Sequence, residues 1–243
     1  MPMLAGNADA LESLGSSSND AAALSRLEQR LPPLLSVIAG MVDLIGFFTL
    51  GNVFTAHITG NLVLVAAVAV HGGPVNLAQA LAIPVFAVAL AAVWLVAKGS
   101  QWRGPGLARL LLSVQFLLLA AVLIFSVITK PSANPHGSTA TIAVMIAVSA
   151  MACQYALLRL AVPGAISSAV MTGNLTNTVL ALMDLLSKRD PLMAPDAERL
   201  QRSLRLLIGF LVGCVVAAAA ITMLGDWAWS FPVALAALAI VVR

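Results

Sequence analysis

Charge is what this chain has least of: 9% of its 243 residues are Asp, Glu, Lys or Arg, where a water-soluble domain carries about a quarter. Aromatic residues are scarce too, at 5% with a single tyrosine, and there are two cysteines and three histidines. Cys153 and Cys214 fall in separate apolar stretches without a CxxC or Cys/His cluster. That excludes a disulfide scaffold and reads both as small buried hydrophobes. His57, His71 and His136 lack metal-ligand spacing, and neither HExxH nor a nucleophile elbow occurs. No enzyme, metal or cofactor is therefore expected. What is abundant is apolar: 60% of the residues are hydrophobic and the mean hydropathy is +0.99. A soluble fold of this size has no core large enough to hide so much apolar surface. An all-α polytopic membrane protein remains, with the lipid bilayer as its surroundings. Its formal charge of +3 then orients spans and does not point to nucleic acid.

Residues 1–32 differ from the rest. They hold the run Ser16-Ser17-Ser18-Asn19-Asp20 and lack the basic start and apolar core of a secretory signal. They read as a disordered cytoplasmic tail with a short helix near Ala21–Arg30. Residues 33–243 read as one membrane domain, with halves at 33–130 and 138–243. Apolar segments recur at 34–50, 58–71, 75–97, 106–128, 140–158, 166–186, 203–224 and 226–242. A straight crossing takes about 20 residues, so 58–71 is too short. If all eight segments crossed, Lys98, Arg103 and Arg109 would face outward, against the usual bias. If 34–71 and 140–186 each make one net crossing, nearly every Lys and Arg faces the cytoplasm and Lys130 alone is outside. The sequence thus predicts six net crossings, with both termini cytoplasmic. Each half then begins with a broken or re-entrant helix. Trp94, Trp102, Trp227 and Trp229 fall near segment ends, where indoles favour the interface.

Thr59-Gly60-Asn61-Leu62 recurs as Thr172-Gly173-Asn174-Leu175, each time in the second part of a long unit. Two matching halves of three crossings each must be inverted relative to one another. Inverted repeats with interrupted helices bind solutes where the breaks meet, because freed N–H and C=O groups are tolerated only against protein or water. Thr59, Asn61, Thr172 and Asn174 would cap the helix starts or contact such a solute.

Gly40-Met41-Val42-Asp43, the run Gly51 to Asn61, and Val170-Met171-Thr172-Gly173-Asn174-Leu175-Thr176 resemble the signatures of the YoaK family over residues 33–243. The resemblance implies a six-span protein of the bacterial inner membrane, from a family whose domain is catalogued as of unknown function. One position departs from the family pattern: Tyr155 stands where an asparagine is usual, in Ala150-Met151-Ala152-Cys153-Gln154-Tyr155-Ala156.

Asp43 stands out among the intramembrane residues, between Gly40 and Gly46 on one helical stripe. A central aspartate costs about 2.5–3.5 kcal/mol on insertion scales, so it must face the interior and have a partner. It is a proton, cation or solute site, or a paired group that holds the bundle together. Arg159, just before the second break, pairs with Asp43, holds an anion, or snorkels to the interface. Thr172, Asn174, Thr176 and Asn177 give the last re-entrant segment a polar face. Gln154 contributes from the other arm, and His57 titrates near neutral pH in an ordinary setting. Gly209 and Gly213 form a GxxxG, read either as tight helix packing or as a homodimer face. Together these features favour a transporter or permease for a small polar or ionic solute. The alternative is a non-transporting membrane assembly or sensor.

Overall fold

The computed structural model describes residues 5–73, 75–165, 171–186 and 197–241. The described residues are helical and contain no strand. In chain order the helices are α1 (Ala5–Thr49), α2 (Ile58–His71), α3 (Leu77–Gly99), α4 (Gly104–Thr129), α5 (Ser138–Leu160), α6 (Met171–Leu186), α7 (Ala197–Leu224) and α8 (Ser230–Val241). Five apolar helical stretches are long enough to cross a membrane, and the last of them, Leu200–Val241, contains both α7 and α8. The second part of the chain's later break, residues 166–170, and the charged stretch 187–196 lie outside the described residues.

Local chemistry explains the boundaries. Asn76 caps α3 by accepting from the Ala78 N–H at 3.0 Å, and Pro105 opens α4 where its missing N–H costs nothing. Lys130 ends α4 in the left-handed conformation, φ +48°, ahead of Pro131. α2 is 14 residues long, about 21 Å of helix against about 30 Å of hydrocarbon. It falls short of the length of a straight crossing.

Two expectations are corrected here. The helix before the first span does not start near Ala21: α1 runs unbroken from Ala5 through Pro32 and Pro33 to Thr49. Those prolines remove the bonds to the carbonyls of Glu28 and Gln29. Both residues line a cavity of about 180 Å³ together with Gln201, Arg202 and Arg205. Nor is Trp229 an interfacial anchor: it is fully buried, in a 3-10 turn packed on α4 and α1. Trp94, Trp102 and Trp227 are exposed, as the interface reading expects.

α1 and α5 are the most enclosed helices, with 67% of the best apolar window buried in each against 17% in α3. Burial here does not come from a hydrophobic drive, since lipid tails are as apolar as the core; close backbone approach between small residues replaces it. α5 turns Ala140, Ala143, Ala147 and Ala150 inward. α1 meets α7 through glycines. A Cβ on Gly40 would strike the Phe210 carbonyl oxygen, and one on Gly213 would strike that of Val37; on Gly209 it would lie 2.9 Å from the Pro33 carbonyl oxygen. Of the two readings of this GxxxG, tight packing within the chain is the one observed. Gly209 and Gly213 both meet α1.

The helix pairs have a regular pattern. α1 packs on α7 as α5 packs on α3; α4 packs on α5 as α8 packs on α1; α2 docks on α3 as α6 docks on α7. α4 also packs on α8, and α1 on α5. At one end of the bundle Gly51 meets Asn76, Pro135 and His136, and Ser132 donates to Asp226 at 2.7 Å. At the other end Leu24 meets Gly104, and Glu28 meets Gly164.

Candidate functional site

Between α1 and α2 the chain leaves helical geometry at Gly51 (φ +83°) and Asn52 (φ +58°) and turns back against α1. Irregular backbone at membrane depth survives only if its polar groups find partners within the protein. Residues 50–57 find them one by one. The carbonyl of Gly51 accepts from the Asn76 amide at 2.6 Å, and that of Asn52 from the Gln79 amide at 3.0 Å. Asn61 binds Phe54 in both directions: its Oδ1 accepts from the Phe54 N–H at 2.9 Å, and its Nδ2 donates to the Phe54 carbonyl at 2.7 Å. The Tyr155 hydroxyl donates to the Ala56 carbonyl at 3.0 Å.

Asp43 holds the deepest part of this segment. Its Oδ1 accepts from the N–H groups of Thr55 at 2.8 Å, Ala56 at 2.6 Å and His57 at 3.3 Å. Its Oδ2 stands 2.5 Å from Nδ1 of His57. With the carboxylate ionised, that nitrogen carries the proton. Asp43 is buried, while the His57 side chain is 33% exposed and meets the Phe210 ring edge-on at 5.1 Å between centroids. The stripe of small residues around Asp43 has a clear purpose. Gly40 admits α7, and Gly46 admits the returning loop, since a Cβ there would sit 2.9 Å from the Thr55 methyl. Thus the Asp43 carboxyl group is tethered to a turn of backbone N–H groups, and its imidazole partner is part-exposed.

The first Thr-Gly-Asn element is explained by the same turn. Gly60 leaves room for the Phe54 ring, which would lie 2.9 Å from a Cβ there, and Asn61 clamps the Phe54 backbone. Both amide functions of Asn61 therefore bind the chain itself. Thr59 is exposed on α2.

The other singled-out residues are distributed more widely. Gln154 is fully buried; it donates to the Leu35 carbonyl at 3.0 Å and accepts from Gln115 at 2.7 Å, joining α5 to α1 and α4. Arg159 is exposed at the end of α5 and is not among the groups that hold Asp43. Of the three readings of Arg159, pairing with Asp43 is not the one seen: His57 and a set of backbone donors hold the carboxyl group instead. On α6, Asn174 is buried while Thr172, Thr176 and Asn177 are exposed. The Thr176 hydroxyl donates to the Thr172 carbonyl at 2.9 Å, and that of Thr178 to the Asn174 carbonyl at 2.8 Å. α2 docks on α3 and α6 on α7, so the two Thr-Gly-Asn elements rest on different supports.

Sequence reasoning missed Thr55, Asn76 and Gln79. Asn76 and Gln79 form part of a polar start to α3 that reads as an ordinary helix cap. Tyr155 does have a polar role in place of the family's asparagine: its hydroxyl reaches the backbone of the turn between α1 and α2.

Long apolar helices with short connections, and irregular backbone satisfied from within, define a multi-pass helical membrane protein. The chain belongs to the family described as protein of unknown function (DUF1275), whose model matches residues 31–242. Over 31 residues it is 61% identical to the UPF0700 transmembrane protein YoaK of Bacillus subtilis (strain 168). That match covers 13% of this chain and 14% of the relative. No solved structure matches.

Proposed function

We propose that this protein is a permease for a small polar or ionic solute, built from two inverted halves of three crossings each, with both termini cytoplasmic in a bacterial inner membrane. The observation that carries the reading is the Asp43–His57 pair: a buried carboxylate holds a re-entrant turn and reaches an imidazole that is part-exposed. Intramembrane ionisable groups of this kind mark proton and ion paths. Exchanging α1–α4 with α5–α8 maps most of the helix pairs onto one another, the α1–α4 pair excepted, which supports the repeat. Asn76 on the Gly51 carbonyl joins the two ends of segment 51–76, which supports a segment that enters and leaves the membrane on one side and leaves 34–71 with one net crossing. In this account Asp43 and His57 carry the coupling proton. Protonating Asp43 weakens its hold on residues 55–57, which links proton uptake to movement of the turn. The proposal includes no enzymatic activity, no cofactor and no nucleic-acid partner.

Liposomes loaded with a pH-sensitive dye and challenged with a panel of small organic ions, sugars and amino acids test this reading. Wild-type protein is expected to give solute-dependent proton flux that Asp43→Asn lowers by about tenfold or more, while the protein stays folded. Solute-driven flux that is unchanged in Asp43→Asn would remove Asp43 from the mechanism.

A second reading, a non-transporting membrane assembly or sensor, is favoured by the closed hydrogen bonding of Asn61, Thr176 and Thr178. Cysteines placed at Thr172 and Asn177 separate the two. Reaction with a water-soluble thiol reagent is expected for a solute path along α6, and protection from it for a face that meets only lipid or protein.

A further inference from the structure

The bundle end that carries the start of α1 also carries a cavity of about 400 Å³, between α1, α4 and α8. Its charged residues are Arg26 and Arg109, and its walls include Leu27, Pro105, Leu112 and Ile240. Arg26 donates Nε–H to the Ala22 carbonyl at 3.2 Å, which leaves its two terminal nitrogens for another acceptor. Among the described residues neither arginine forms an ion pair. The neighbouring Arg103 behaves differently and spends its guanidinium on the carbonyls of Ala97, Ser100 and Trp102. Two like charges on one apolar cavity repel each other, and an anion between them relieves that repulsion.

The depth of the site identifies the anion. Trp102 is exposed at the start of α4, and Lys98 stands 5.6 Å from the centre of the exposed Trp94 ring, so this end of the bundle presents amphipathic indoles and ammonium groups. Both settle at the headgroup level of a bilayer. A ligand here meets guanidinium groups at one end and aliphatic walls at the other. We infer that Arg26 and Arg109, with the apolar cleft between α1, α4 and α8, form a binding site for an anionic phospholipid. The phosphate takes the guanidinium N–H groups, which suit its geometry, and an acyl chain lies along Leu27, Leu112 and Ile240. The inference depends on membrane insertion but not on transport.

Native mass spectrometry of the full chain in detergent tests it, with titrations of phosphatidylglycerol, phosphatidylcholine and sodium phosphate. Phosphatidylglycerol is expected to bind about tenfold or more tightly than phosphatidylcholine. The Arg26→Gln/Arg109→Gln protein should lose that preference at an unchanged melting temperature. The Arg26→Lys/Arg109→Lys protein should keep the charge-dependent part of it. Equal binding of the two lipids would overturn the site, as would undiminished preference in the Gln variant. Displacement of phosphatidylglycerol by an equal concentration of inorganic phosphate would overturn the role of the acyl chain, and with it the assignment to a lipid.

Discussion

Asp43→Ala is expected to lower the melting temperature of the purified protein by about 10 °C or more, the largest effect of any single substitution in the re-entrant region. The reason lies in what the carboxylate leaves behind. Three backbone N–H groups, of Thr55, Ala56 and His57, converge on Oδ1, and each buried donor without an acceptor costs roughly 1–3 kcal/mol. Neighbouring groups relax and the losses do not add fully, so about 3–5 kcal/mol is expected. Asp43→Asn separates charge from hydrogen bonding. Its amide oxygen still accepts from the turn while the ionisable group is gone, so a drop of less than half that of alanine is expected. A melting curve of Asp43→Ala that matches wild type would mean that the carboxylate does not hold the turn.

The crossing of α1 and α7 makes the second large prediction. Gly40→Val and Gly213→Val each place side-chain atoms where a backbone carbonyl of the opposite helix already stands, that of Phe210 or of Val37. A backbone cannot swing aside as a flexible side chain can, so the helices must separate. Overpacking of this kind costs about 1–3 kcal/mol and sometimes more. At these two positions we expect the upper part of that range, with a fall in folded yield on size-exclusion chromatography. Gly99→Ala is the control. Nothing lies within 4 Å of a Cβ there, so it should change stability by no more than about 0.5 kcal/mol. Equal behaviour of Gly99→Ala and Gly213→Val would contradict the packing described for α1 and α7.

The helices were legible because their signal is local. The apolar length of the segments and the shortness of 58–71 are both read within the segments themselves. Asp43 was legible for the same reason, since one acid in a long apolar run must find a partner. Its partners were not, because they belong to backbone 12 to 14 residues later, and a sequence does not show which N–H groups a turn leaves free. Asn61 shows the limit well. An amide beside a glycine at a break suits a solute contact and a backbone clamp equally, and only the fold reveals that it closes on Phe54. The division drawn between residues 32 and 33 falls between two prolines, yet α1 continues through both.

Thiol labelling from one side of the membrane tests the re-entrant turn most directly. With Cys153 and Cys214 first replaced by alanine, single cysteines are placed at Asn52, Val75 and Ser100. Asn52 and Val75 are exposed on either side of α2, and Ser100 follows α3. An impermeant maleimide added outside the cell is expected to modify the first two and spare the third. Modification of Asn52→Cys and Val75→Cys from opposite sides would make α2 a crossing helix and dissolve the turn that Asp43 is said to hold.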